Sequence, residues 1–271
     1  MIALSLIKNK KLKLVNKYIS NKIVPKKCRI KILYSGICAS DIPRAFQSMA
    51  YKYPLVMGHE FVGIVIKTGS RVSKFHKGDL VSVFPLIPCS SKEKKICEYC
   101  SEEKFNLCKD YDYYGSRSDG SFCEVLDVNE WNIFKIRNKE NAKIYSLIEP
   151  TAVSFNIFNS FKKIVESKTK ILILGGGFIG QILFRILKKY KNNLHLQIMD
   201  RNQFKLDLIK AKSSTQILLS KNKNKNIFSE LDSKFDIVIE TTGHYELFLN
   251  ALELAKKDGT VIFSGNINKN L

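Results

Sequence analysis

The chain has 271 residues, 45% of them hydrophobic, enough for two domains that each bury a core. No apolar run approaches the roughly 20 residues that cross a bilayer. The net charge of +20 invites a nucleic-acid or anionic-membrane partner, yet the lysines are spread over nearly every segment without an arginine–aromatic stripe, so neither partner is expected.

The opening run Met1 to Ile7 is short, lacks a basic start and gives way to Lys8, Lys10 and Lys11. It reads as a first strand, not a secretion signal. Seven cysteines without such a signal point to metal or reactive thiols in a cytoplasmic protein, not to disulfides. Residues 29–33, 61–66 and 79–84 are short apolar runs, punctuated by Gly69, Gly78 and Asp79. Strands at that spacing predict a compact, barrel-like β domain.

Between the first two runs stand a thiol (Cys38), a hydroxyl (Ser40) and an imidazole (His59) among glycines. Cysteine and histidine together favour zinc, and a set of fewer than four protein ligands leaves a position open for chemistry. Glu149, in Leu147-Ile-Glu-Pro150, is a third candidate ligand from far along the chain. Taken singly, Cys38 and His59 would more often be unrelated core residues; it is the combination that points to zinc. Further on, Cys97, Cys100 and Cys108, with Cys89 upstream, read as a closed four-thiolate zinc site that holds a loop. The intervening stretch 90–96 leaves open a three-thiolate site or one completed by another group. Cys28 and Cys123 lie in strand-like contexts as core residues, and His76, His195 and His244 have no partner spacing.

The pattern turns helical around residues 148–161, where Ile148, Ala152, Phe155 and Phe158 can share one face. A domain boundary is expected there, dividing the chain into residues 1–150 and 151–271. From Lys170 the pattern becomes strand, glycine loop and helix, with further strands at 194–199, 235–240 and 259–264 and a helix at 246–256. That alternation predicts a parallel, helix-covered sheet. The lysine- and asparagine-rich stretch 221–226 reads as an exposed loop.

Gly175, Gly177 and Gly180 follow a buried-type strand and open a helix, and Asp200 stands twenty residues beyond Gly180 at the end of the next strand. That context, completed by Phe178 and Ile179, is what a dinucleotide-binding loop requires. The helix N-terminus offers unpaired N–H groups to the pyrophosphate. Asp200 accepts from ribose hydroxyls and repels a 2′-phosphate, so NAD is expected over NADP, although the neighbouring Arg201 tempers the preference. Thr241 and Gly243, just past a strand's carboxyl end, are placed beside the nicotinamide.

Together these pieces resemble the zinc-containing medium-chain dehydrogenases, and within them the sorbitol and galactitol-1-phosphate dehydrogenase branch. The resemblance is carried by Gly36-Ile-Cys-Ala-Ser-Asp-Ile-Pro-Arg44, Tyr53-Pro-Leu-Val-Met-Gly-His-Glu60, the cysteine lobe, residues 109–122, Ile148-Glu-Pro150 and the glycine loop. It implies an α/β protein: a GroES-like β-barrel catalytic domain followed by a Rossmann doubly wound parallel sheet. It implies two zinc ions per chain, with Cys38, His59 and Glu149 at the catalytic one, Glu149 directly or through water. Glu60 is the acid that can approach the metal, Asp41 a supporting partner and Ser40 the proton relay. The implied reaction passes hydride from an alcohol, its pKa lowered by zinc, to the nicotinamide of NAD(P).

Arg44 stands where sorbitol dehydrogenase has an aromatic pocket residue. With Arg117, it suits a polyol phosphate over a plain polyol. An arginine paired to a local acid is the other reading of Arg44. Three departures stand out: Ala39 in place of the family's glycine, the insertion in the cysteine lobe, and an end at Leu271 short of the family's last segments. The chain therefore reads as a C-terminally truncated member, which puts the family's homo-oligomer in question. It also leaves a second expectation, a catalytically inactive zinc- and nucleotide-binding remnant.

Overall fold

Short apolar runs separated by turns pair locally and antiparallel in the first half of the chain, whereas strand–helix alternation forces parallel pairing in the second. The computed structural model describes residues 1–92, 95–138, 140–209, 216–218 and 234–265. The stretch 221–226, expected as a loop, lies outside them. The chain forms two units, Met1–Glu149 and Pro150–Leu271.

The first unit begins with β1 (Ile2–Lys8), β2 (Lys11–Asn16) and β3 (Lys27–Ser35), followed by the short helix α1 (Asp41–Phe46). Strands β4 (Leu55–Val56), β5 (Phe61–Thr68), β6 (Leu80–Val83) and β7 (Leu86–Ile87) lead to helix α2 (Glu98–Ser101) in the cysteine lobe. Strands β8 (Asp112–Tyr113), β9 (Val125–Asn129) and β10 (Ile133–Lys135) precede α3 (Ile148–Phe161), whose first two residues belong to this unit. The main sheet runs β10-β6-β5-β3-β9, all antiparallel. A three-stranded sheet β2-β1-β4 and the pair β7-β8 complete the unit. Ile30, Phe61, Val65, Val81 and Val128 form its core.

In the second unit, β11 (Lys170–Leu174), α4 (Phe178–Tyr190), β12 (His195–Asp200), α5 (Gln203–Asp207), β13 (Gln216–Leu218), β14 (Phe235–Glu240), α6 (Tyr245–Leu254) and β15 (Ala255–Phe263) follow in order. The sheet order is β13-β12-β11-β14-β15, every pair parallel. This order matches five strands of a doubly wound sheet, 3-2-1-4-5, with the reversal at β11. Alternate residues of β11 serve opposite faces. Ile171 and Ile173 join Leu183 and Leu187 of α4 in one core, while Leu172 and Leu174 join Ala251 and Leu254 of α6 in the other. Burial on both faces is why β11 reads as an unbroken apolar run.

Two details differ from the sequence reading. The buried side of α3 is Pro150, Ser154, Ile157, Phe158 and Phe161. Of the expected face only Phe158 is buried, with Ile148 37% and Phe155 48% exposed. Apolar residues lie on several sides of this helix, so periodicity alone does not choose the face. The final strand also starts earlier than expected, at Ala255, ending α6 at Leu254.

Leu187 is fully buried between helix and sheet. Leu187→Ala is expected to cost about 2–5 kcal/mol of stability, measured by chemical denaturation. A loss below about 1 kcal/mol, the scale of an ordinary surface substitution, would show that this face of α4 does not carry the core.

Candidate active site and metal centres

The meeting of Cys38 and His59 is dictated by strand register. Ser35 pairs with Phe61 at the last position of the β3–β5 ladder, and the Gly36 N–H donates to the Glu60 carbonyl at 2.7 Å. The loop leaving β3 therefore faces the loop entering β5. Gly58 turns the chain into His59 at a φ of +93°, a left-handed conformation that favours glycine. A Cβ on Gly120 would sit 1.9 Å from the Gly58 carbonyl oxygen, so the segment behind it closes tightly on this turn.

Ligand atoms of Cys38, His59 and Glu60 lie within 4.8 Å of one another. His59 is buried, and its Nδ1 has no hydrogen-bond partner, with Asp41 Oδ1 3.7 Å away. The Cys38 N–H donates to Asp41 Oδ2 at 3.0 Å. Arg44 Nη1 donates to Ser40 Oγ at 2.8 Å and to Asp41 Oδ1 at 3.4 Å. The local-acid pairing considered for Arg44 is thus present.

Burial, with the Arg44 charge, pushes His59 down to about 4, keeping the imidazole neutral and its lone pair available. Burial pushes the Cys38 thiol and the Asp41 and Glu60 carboxyls up. Burial and then the nearby Glu60 push Glu149 up to about 7. Without a cation this cluster favours protonation, and a divalent ion is the alternative source of positive charge. A buried neutral imidazole, a thiol and a carboxyl with ligand atoms within 4.8 Å of one another are a donor set that fits zinc.

Glu149, at the start of α3, does not join that set; Glu60 takes the third place. Instead the Tyr113 hydroxyl donates to Glu149 Oε1 at 3.2 Å. The Tyr113 ring meets the His59 ring edge-on, centroids 5.8 Å apart. Nothing in the spacing of residues 109–122 singled out Tyr113.

The thiols of Cys89, Cys97, Cys100 and Cys108 also lie within 4.8 Å of one another, and none forms a disulfide. Backbone N–H groups of Lys109 and Cys100 hold the Cys97 thiol down, favouring thiolate. The Cys97 N–H itself donates to Cys89 Sγ at 3.3 Å and that of Cys89 to Cys108 Sγ at 3.2 Å. This is a second donor set that fits zinc, with Cys89 present despite the insertion.

In the second unit Gly175 adopts a φ of +108° and Gly177 caps α4, with nothing within 4 Å of where its Cβ would be. That open space above the helix N-terminus suits a pyrophosphate. Gly180 packs against the strand end, Phe178 is the first helical residue and Ile179 leans on the core. Asp200 ends β12 with Oδ2 accepting from the Gly176 N–H and Oδ1 from the Asn202 N–H, each at 2.8 Å. Arg201 is exposed, and Lys205, not foreseen from sequence, brings its Nζ within 3.5 Å of Asp200. Thr241 Oγ1 donates to the Leu174 carbonyl at 2.9 Å. The Gly243 N–H donates to Glu240, a fully buried carboxylate at the end of β14 that the motif search passed over. Arg117 lies between the rings of Tyr51 (4.3 Å) and Tyr111 (4.5 Å), and its Nη2 donates to the Tyr111 hydroxyl at 3.1 Å. Among the described residues, no helix is long and apolar enough to cross a membrane.

Residues 24–138 match the alcohol dehydrogenase GroES-like domain. The chain is 30% identical over 248 residues to galactitol 1-phosphate 5-dehydrogenase of Escherichia coli K12, an alignment covering 90% of this chain and 69% of that protein. The crystal structure of galactitol-1-phosphate dehydrogenase from Escherichia coli superposes with a TM-score of 0.83 at 27% identity, covering all of this chain and 77% of that one. An alcohol dehydrogenase from Escherichia coli CFT073, solved with NADH, gives 0.81 at 25% identity, covering 98% and 76%.

A carboxyl raised from its ordinary 4.5 to about 7 binds its proton more tightly in the folded state. Its contribution to stability is full below pH 4.5 and is lost as pH rises through 7. His59 acts oppositely, its contribution being lost as pH falls from 6.5 through about 4. In metal-free protein, the denaturation midpoint of wild type should therefore drop more from pH 5 to pH 8 than that of Glu149→Gln. Equal drops would show that Glu149 is not the group responsible.

Proposed function

Because this chain belongs to the zinc-containing medium-chain dehydrogenases, we propose that it oxidises the hydroxyl of a polyol or polyol phosphate with NAD as the hydride acceptor. The observation that carries this reading is the convergence of Cys38, a neutral His59 and Glu60 around one buried point. Their ligand atoms lie within 4.8 Å of one another, and Glu60 is itself hydrogen-bonded to Cys38. The site residues are Cys38, His59 and Glu60 or Glu149 for the catalytic zinc, and Cys89, Cys97, Cys100 and Cys108 for a structural one. The dinucleotide residues are the 175–180 loop, Asp200 and the Thr241–Gly243 turn.

When bound, zinc supplies the Lewis acidity that lowers an alcohol's pKa, and nicotinamide supplies the hydride acceptor. The chain's own residues do the rest. Arg44 is a donor only, so it occupies one lone pair of Ser40 Oγ and leaves the other open, while the Ser40 hydroxyl bonds to the Cys38 thiol. Ser40 can then accept a proton from the substrate side while passing its own onward. Asp41 fixes the loop by accepting from the Cys38 N–H and pairing with Arg44. Asp200, accepting from the Gly176 and Asn202 N–H groups, presents a carboxylate that disfavours a 2′-phosphate, which supports NAD over NADP.

Arg44 is engaged with Ser40 and Asp41, so Arg117 is the better candidate for a substrate phosphate. The two tyrosine rings flank its guanidinium. With Nη2 on the Tyr111 hydroxyl, it keeps further N–H donors for an anion, and among the described residues it pairs with no carboxylate. The substrate is a small molecule and not a nucleic acid or membrane, and the seven unpaired thiols favour a cytoplasmic setting.

NADH formation at 340 nm, with zinc-loaded protein and a panel of polyols and polyol phosphates, tests the reading. Zinc-dependent turnover is expected, and none on any substrate with both zinc and NAD bound would reject it. In the same panel, Arg117→Ala should raise KM for the phosphate roughly tenfold or more, the scale of a charged hydrogen bond. The parent polyol should be unaffected, and equal changes for both would remove Arg117 from phosphate recognition.

A further inference from the structure

The Tyr113 phenol bridges two members of the candidate site. Its ring packs edge-on against His59 and its hydroxyl donates to Glu149 Oε1 at 3.2 Å. The backbone that carries it is held firmly. Tyr113 pairs with Leu86 in the β7–β8 ladder, and its N–H donates to Asp112 Oδ1 at 2.7 Å. Its carbonyl accepts from the N–H groups of Arg117 and Ser118, each at 3.0 Å. Ser118 Oγ in turn donates to Asp112 Oδ2 at 2.6 Å. The phenol therefore springs from a hydrogen-bonded stretch of backbone and is tied at its far end to Glu149.

The carboxylate it holds is the one that stays out of the three-donor set. Cys38, His59 and Glu60 offer one thiolate, one imidazole and one carboxylate within a common 4.8 Å, and Glu149 is not among them. A second carboxylate free to swing in would close a zinc site, turning an open catalytic geometry into a four-ligand structural one. Burial, with the neighbouring Glu149 charge, keeps the phenol well above its ordinary value, so it remains a donor.

We propose that Tyr113 is a positioning residue, whose hydroxyl holds the Glu149 carboxylate beside the Cys38, His59 and Glu60 donors and so keeps a coordination place open for the substrate oxygen. This rests on the reading of those three residues as metal donors. The chemistry at stake is one hydrogen bond. Removing it frees Glu149 to add as a ligand, which binds metal more tightly and competes with substrate.

The test uses the full chain, with Tyr113→Phe, which deletes only the hydroxyl and keeps the ring on His59. Zinc affinity is measured by chelator competition, and the coordination sphere by the visible spectrum of the cobalt(II)-loaded protein. Tyr113→Phe is expected to hold the metal of this site roughly fivefold more tightly, the scale of one net hydrogen bond. It should also show a changed cobalt spectrum and a higher KM for the alcohol. In Tyr113→Phe with Glu149→Gln the added affinity and the spectral change should both vanish. Unchanged affinity and spectrum in Tyr113→Phe, or changes that persist in the double variant, would overturn the proposal. Cys38→Ser separates the two claims. If it leaves the zinc content unaltered, the metal-site reading fails and the proposal with it. A loss of zinc alongside an inert Tyr113→Phe rejects the positioning role alone.

Discussion

The candidate catalytic site depends on one antiparallel register. Ser35 opposite Phe61 brings the loop after β3 against the loop before β5, and so joins Cys38 to His59 and Glu60. Slipping a strand by one residue reverses which face each side chain occupies. The pairing that builds the barrel core therefore also assembles the donors. A Cβ on Gly58 would meet the Ser121 and Phe122 side chains at 2.6 Å, and one on Gly115 or Gly120 would meet the Gly58 backbone itself.

The donors sit among groups whose charges suit a cation. Asp41, Glu60 and Glu149 are carboxyls pushed up by burial, while Arg44 spends its donors on Ser40 and Asp41. His59 is kept neutral, the state in which imidazole ligates metal. The cysteine lobe solves a different problem. Four converging thiols leave no place for substrate, so a metal held there would brace the chain between β7 and β8.

Much of this was legible in the sequence because the signals are local. The glycine loop between a buried strand and a helix, Asp200 at the next strand's end, and the spacing of Cys97, Cys100 and Cys108 each constrain their own surroundings. What was not legible depends on tertiary neighbours. The face of α3 was misjudged because apolar side chains occur around much of that helix. Lys205, Glu240 and Tyr113 belong to no spacing pattern, and their importance appears only when the chain brings them to Asp200, Gly243 and Glu149. The pairing of Arg44 with Asp41 was open in sequence, since an arginine three residues from an acid can face it or a ligand. Which of Glu60 and Glu149 joins Cys38 and His59 likewise depends on where the fold places each carboxylate.

The central claim is that one chain holds zinc in two chemically different shells. X-ray absorption at the zinc edge, on wild type and Cys38→Ser, tests it directly. Wild type should show a mixed shell of sulfur and lighter donors, and the variant should lose part of its zinc and retain an all-sulfur shell. An all-sulfur shell in wild type, or a mixed shell that the substitution leaves unchanged, would contradict the account.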